Sequence, residues 1–330
     1  MAIECLGKTT YEKFNKSHID IWVAKSIKAR VLLTMGKWAE AAAVSQDVID
    51  NSGYKLATST YTDTDQQNRF GEMTNSEWIW GCSSSRTDMS QQGSKLRSWH
   101  DLVSNNAGSY NANSPRAINC QLYWSIPETD VRKAMWIEDP YTATTVYLPN
   151  GGKKAPFMAQ KFLVDDNTTK YEERDVPYIR LPEIMMIAAE GYAKSSEVAK
   201  AQKLVYDLGN FRDPAYTMPT ESGDALMEKI LWQKRVELWG EAGIRWFDLK
   251  RLNLPCDRGA KPRPEYNQGN WKNSATKAPE NLDPLASNYD MYGANLGDGA
   301  RYIPAGDKRW QWLLPTQEVN TNPLCPQNEL

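Results

Sequence analysis

The chain has 330 residues, 41% of them hydrophobic, enough for one large domain or two modest ones around a buried core. Its 39 basic and 41 acidic side chains leave a formal charge of −2, which gives no electrostatic reason to expect a nucleic-acid or anionic-membrane partner. No apolar run approaches the roughly 20 residues that a bilayer crossing needs, and Met1 to Lys8 lack the basic stretch, apolar run and small-residue site of a secretory signal.

The unusual number is tryptophan: 13 against 6 phenylalanines, with 16 tyrosines, in a chain of mean hydropathy −0.65. A polar chain with this many large rings must place some of them near its surface, either to stack on flat ligands such as sugars or to plug irregular loops. Five cysteines, Cys5, Cys82, Cys120, Cys256 and Cys325, form no C-x-x-C pair, and are expected as buried free thiols. With His18 and His100 the only histidines, neither a histidine-ligated metal nor a histidine triad is indicated. Catalytic and nucleotide-binding motifs such as G-x-S-x-G, H-E-x-x-H and G-x-G-x-x-G are absent.

Residues 18–52 read as a helical hairpin. Ile19, Trp22, Val23, Ile27, Val31 and Leu32 recur at helical spacing, Gly36 breaks the pattern, and Ala41, Ala42, Ala43, Val44, Val48 and Ile49 resume it. Alanines at facing positions let two helix backbones approach, as in a tetratricopeptide unit. Residues 53–178 lose this period and become rich in Gly, Asn, Ser, Asp, Pro and Thr, with short strand-like pieces at Trp78-Ile79-Trp80 and Thr145 to Leu148. So long an irregular stretch is functional or holds structure that propensity misses. Within it Asp63, Asp65 and Gln67 alternate like oxygen ligands, but the glycine and glutamate of a calcium-binding EF-hand do not follow.

Helical texture returns over 180–252. Pro182 suits a first turn, Ile184, Ile187, Ala188 and Gly191 follow at helical spacing, and Glu197–Arg212 forms the second arm of another hairpin. A third helix is expected from about Asp224 to Leu252, apolar on two sides and hence buried between layers. On it Glu237, Glu241, Arg245 and Asp248 are spaced to meet on adjacent turns, a structural charge network rather than an acid and base pair. Residues 253–330 are again irregular and aromatic. The fold expected is mainly α: tetratricopeptide-like hairpins in one layer, with long irregular segments and a few short strands packed on it.

Four segments together resemble the SusD/RagB family of surface glycan-binding lipoproteins of Bacteroidetes. They are Arg180-Leu181-Pro182-Glu183 through Glu190 with the later Asn210-Phe211-Arg212; Arg235-Val236-Glu237-Leu238-Trp239-Gly240-Glu241 through Arg245-Trp246-Phe247-Asp248-Leu249-Lys250-Arg251; Pro315-Thr316-Gln317-Glu318 through Gln327-Asn328; and the hairpin around Gly36-Lys37-Trp38. The pattern Glu241-Ala242-Gly243-Ile244-Arg245 is one residue longer than the family's Glu-Gly-x-Arg. The resemblance also implies an amino-terminally truncated chain, without the family's first helical unit, lipoprotein signal or anchoring cysteine, and a single domain over 1–330.

What the resemblance implies is non-catalytic capture of oligosaccharide at the outer-membrane surface, with lipid anchoring, and delivery to a SusC-like TonB-dependent transporter. No cofactor and no metal are implied. Sugar rings stack on Trp and Tyr while their hydroxyls bond short polar side chains. The stretch from Trp99 to Trp124 has that composition, so Trp99, Tyr110 and Trp124 are the candidate stacking residues, with Asn106 and Arg116 as polar partners. Two competing readings are a tetratricopeptide scaffold for another protein's peptide and an all-α glycoside hydrolase using a pair such as Glu128 and Asp130. The motif Asp130-Val131-Arg132 matches the family's Asp-x-Arg, which favours an ion pair there.

Overall fold

A computed structural model of the chain describes residues 1–9, 13–57, 72–83, 117–138, 157–161, 175–241, 243–257 and 302–310. The described residues up to Glu241 form one compact unit, and those from Gly243 a second.

The first unit begins with a short helix, α1 (Ala2–Leu6), which buries none of its residues. Cys5 on it is therefore exposed, and Cys82 and Cys256 are half-buried, so these thiols do not sit in the core as expected. The hairpin follows as α2 (Ile21–Thr34) and α3 (Trp38–Asn51), joined at Met35-Gly36-Lys37. Asp20 caps α2: its carboxylate accepts from the Val23 amide at 2.8 Å, satisfying one of the free N–H groups of the first turn, and pairs with Lys13 at 2.8 Å. Asp20→Ala is expected to cost about 1 kcal/mol, read as a lowered midpoint in urea unfolding.

The second hairpin is α5 (Leu181–Lys194) and α6 (Val198–Arg212), followed by α7 (Gly223–Glu237); α4 (Cys120–Trp124) lies in the irregular stretch before it. The central element is α5, every residue of which is buried from Leu181 to Tyr192. Toward α2 and α3 it presents Ile184 and Ile187, packed with Val23, Ala29, Leu33, Ala41 and Val48. Toward α6 and α7 it presents Met185, Met186 and Ala189, packed with Leu204, Val205, Leu208, Leu226 and Ile230. A helix with two such faces is a layer shared by two cores. The helix buried between layers is thus α5 and not α7, whose Leu231 and Trp232 are only half-buried.

Close approach of α3 and α5 depends on Gly191. A Cβ there would stand 2.6 Å from the Trp38 carbonyl oxygen and 2.9 Å from the Ala42 Cβ. Two-stranded antiparallel sheets complete this unit: β1 (Trp78–Cys82) with β4 (Val176–Arg180), and β2 (Trp136–Ile137) with β3 (Met158–Ala159). In β1 Trp78 is fully buried, whereas Trp80 is half-buried and donates its indole N–H to the Ser17 carbonyl at 3.2 Å.

The expected long helix over 224–252 is two helices. It ends at Glu237, and α8 (Ile244–Arg251) begins the second unit. Gly240 and Gly243 lie between them with φ of +72° and +70°, the left-handed region that glycine enters without steric cost and that an α-helix cannot contain. The second unit also holds a short ladder of β5 (Cys256–Asp257) with β6 (Tyr302–Ile303), and Trp246 and Trp310 with ring centroids 4.7 Å apart.

The break redirects the charges. Glu237 and Glu241 find their partners within the first unit, where Arg132, Lys161, Arg180 and Arg212 meet Glu77, Asp130, Glu237 and Glu241. All four cations are fully buried. Arg180 donates to Glu77 at 2.7 Å, to Glu237 at 3.0 Å and to Glu241 at 2.6 Å. Asp248 instead pairs with Arg251 at 2.6 Å, within α8.

Burial works to raise the Glu237 carboxyl, but Arg212, Arg180 and Arg132 around it outweigh that and hold it well below the usual glutamate range. Glu241 is lowered in the same way by Arg180 and Lys161 against the opposing effect of burial. For Lys161 burial wins over the attraction of Glu241, and its ammonium is pushed down to about 8. Its nitrogen also donates to the Glu237 and Trp239 carbonyls at 2.7 and 2.9 Å, satisfying two carbonyls at the end of α7.

Candidate functional site

Three pieces of the irregular region are knitted into one surface. The β2–β3 pairing joins Trp136 to Ala159, the Phe157 amide donates to the Glu138 carbonyl at 3.2 Å, and the Ile118 amide donates to the Phe157 carbonyl at 3.0 Å. Asn119 starts α4, its side-chain oxygen accepting from the Leu122 amide at 3.2 Å. This places Tyr123 and Trp124 at the helix end, both edge-on to the fully buried Phe157 ring, with centroids 5.3 and 5.4 Å away. Phe157 has φ +57°, a strained value for a residue with a side chain, held by these backbone bonds.

The surface is fastened to the helical layer by polar contacts. Asp130 caps the 3₁₀ turn Val131–Met135, accepting from the Arg132 amide at 2.9 Å, and its carboxylate also takes the Arg132 guanidinium at 2.7 Å. Arg132 then donates to Gln233 of α7 at 2.7 Å, with its guanidinium carbon 5.4 Å from the centre of the Trp232 ring. The Trp232 N–H donates to the Ser125 hydroxyl at 2.7 Å. Asp130 is thus buried in an ion pair, which removes it from the carboxylate pair that a hydrolase reading invoked.

At the outer face, Trp124 is 39% exposed, and it alone is exposed among the described tryptophans. Its indole N–H donates to Oε1 of Glu138 at 2.7 Å. Beside it the Lys133 ammonium lies 5.0 Å from the Tyr123 ring centre, bonded to the Ile126 carbonyl at 3.0 Å and to Glu128 at 2.5 Å. The Tyr123 hydroxyl is pushed up to about 12, first by burial and then by the charges of Glu138 and Glu128. An indole held this way can offer stacking area while its polar edge is already satisfied.

Of the five candidate ligand residues, Trp124 is on this surface; Trp99, Asn106, Tyr110 and Arg116 lie outside the described residues, as do Asp63, Asp65 and Gln67. Sequence reasoning did not single out Glu138 as a partner of Trp124; the two are fourteen positions apart and are brought together by the β2–β3 pairing and the Phe157 contacts. No helix among the described residues is long and apolar enough to cross a membrane.

The fold has solved counterparts. A SusD superfamily protein from Bacteroides thetaiotaomicron is 22% identical, with a TM-score of 0.65 over 99% of this chain and 64% of its own. A SusD-like carbohydrate binding protein from Bacteroides vulgatus, also 22% identical, gives 0.67 over 98% and 63%. Surface glycan-binding protein A from Bacteroides uniformis, 16% identical, gives 0.60 over 99% and 66%. The chain therefore spans less than two thirds of the length of the first two. No curated protein matches the chain. The family model described as the SusD family matches residues 49–330, which takes in the α5–α7 layer, the buried charge network and the Trp124 surface. On that match the chain belongs to the SusD family.

Proposed function

We propose that the chain binds oligosaccharide without catalysing a reaction, at the outer surface of the cell. In this reading residues 53–178 supply the binding face on a scaffold made by 18–52 and 180–252, all within a single domain over 1–330. Lipid-anchored display on the outer membrane and delivery to a SusC-like TonB-dependent transporter complete the proposal.

The observation that carries it is the state of Trp124, an exposed indole whose N–H is already taken by Glu138, in a chain that otherwise half-buries or buries its described tryptophans. Aromatic area left at the surface is what a sugar ring needs, because stacking is driven by the apolar C–H face. Family membership and the glycan-binding and carbohydrate-binding names of two fold relatives agree with this. Trp99 and Tyr110 would add stacking area, and Asn106 and Arg116 hydroxyl partners.

Native gel electrophoresis through a panel of polysaccharides tests the proposal. Retarded migration without release of reducing sugar is expected, and Trp124→Ala is expected to weaken retention about tenfold, a loss of about 1.4 kcal/mol. Reducing sugar released by the wild-type chain would favour the hydrolase instead. Retention unchanged in Trp124→Ala would move the binding face elsewhere.

A further inference from the structure

We propose that the Trp124 surface selects neutral sugars over anionic ones, with Glu138 both fixing the indole and repelling a sugar carboxylate or sulfate. The inference rests on the glycan-binding reading above and adds to it the charge class of the ligand and a residue that decides it.

The fixing role follows from geometry. Trp124 ends a five-residue helix, and Phe157 meets its ring at an interplanar angle of 86°, so packing supports the indole from one direction. The hydrogen bond to Glu138 at 2.7 Å adds a second, independent constraint at the polar edge. A ring already held in one orientation loses less conformational entropy when a ligand stacks on it.

The selecting role follows from charge. Among the described residues, three ionisable side chains lie at the two rings on this face: Glu128, Lys133 and Glu138. Lys133 is committed to Glu128 at 2.5 Å and to the Ile126 carbonyl, so their charges offset each other. The nearby Arg132 is turned inward onto Asp130 and fully buried. Glu138 is exposed, and among the described residues its carboxylate accepts only the Trp124 N–H and pairs with no cation. Among the described residues the face thus carries one carboxylate without an ion-pair partner, at the edge of the stacking ring. A sugar seated on the indole brings its substituents within a few ångströms of that carboxylate. Like charges about 4 Å apart in a water-like setting, as for this exposed carboxylate, are worth about a fivefold difference in affinity at low salt, fading as the screening length shortens.

The test uses a matched pair of probes, methyl β-D-glucoside and methyl β-D-glucuronide, which differ by a carboxylate at C6. Both are titrated into ¹⁵N-labelled protein while following the Trp124 indole N–H resonance, identified by its loss in Trp124→Phe. At low ionic strength the glucuronide is expected to need about five times the concentration of the glucoside for the same shift. Glu138→Gln keeps an oxygen that can accept from the indole but removes the charge, and should close the gap, as should added salt. An equal response to both sugars in the wild type, or a gap that survives Glu138→Gln, overturns the proposal. It is also overturned if Trp124 ignores both sugars while a polysaccharide still retards the protein, and the glycan-binding reading then stands. If Trp124 ignores both and no polysaccharide retards the protein, the glycan-binding reading itself falls.

Discussion

Glu237→Ala is expected to destabilise the first unit by about 3–5 kcal/mol, a large share of the stability of an ordinary domain. The reason is what remains. Arg132, Arg180 and Arg212 all point at that carboxylate from fully buried positions, and removing it leaves each guanidinium one anionic partner short, with Glu77, Asp130 and Glu241 left to balance them. Urea unfolding followed by circular dichroism measures the loss; a change below 1 kcal/mol would mean that water or other acceptors replace the carboxylate at little cost.

The same residue sets an acid limit. Because the folded protein holds the Glu237 carboxyl below its unfolded value of about 4.3, the contribution is fully present above that pH. As pH falls below about 4.3 the unfolded chain takes up a proton that the folded one refuses, and stability declines. Glu237→Gln should therefore be less stable at neutral pH and show a shallower decline in acid, with Glu241 supplying the remaining slope.

The second large effect is expected at Gly191. Gly191→Val should cost about 3 kcal/mol, because the new side chain meets the Trp38 carbonyl and the Ala42 backbone and cannot be relieved by a rotamer change. Gly191→Ala should still destabilise even though alanine is the better helix former by about 1 kcal/mol. Combining it with Ala42→Gly should restore little, since the nearest obstacle at 2.6 Å is a backbone oxygen. Thermal denaturation of the three variants decides this, and full rescue by Ala42→Gly would show that side chains rather than backbones define the seam.

The helical layer was legible because periodicity reports burial: Ile184, Ile187, Ala188 and Gly191 mark one face of α5, and the alanines of α3 mark its counterpart. The break between α7 and α8 was missed because apolar residues keep helical spacing across it, although Gly240 and Gly243 stood in plain view. Glu237 and Glu241 were recognised as a structural network, but their partners were not. Helical spacing suggested Arg245, whereas the actual cations come from positions 132, 161, 180 and 212, which only the tertiary fold brings together. At the candidate site composition pointed to Trp124, because an exposed ring in a polar stretch is visible as an excess. Its anchor Glu138 was invisible for the opposite reason: one carboxylate in an irregular segment looks like any solvated charge until the Phe157 bonds set it beside the indole.

The buried network also bears on how the chain comes to be folded as it is made. Arg132, Lys161, Arg180 and Arg212 all precede Glu237 and Glu241 in order of synthesis, while Glu77 and Asp130 are the partners among the described residues that come earlier. Among the described residues, a nascent chain that has emerged as far as α6 thus holds four of these cations against two of these carboxylates, and burying cations short of partners is costly. The charge network is therefore expected to close only once α7 and the turn at Gly240 have been released, whenever the earlier hairpins dock.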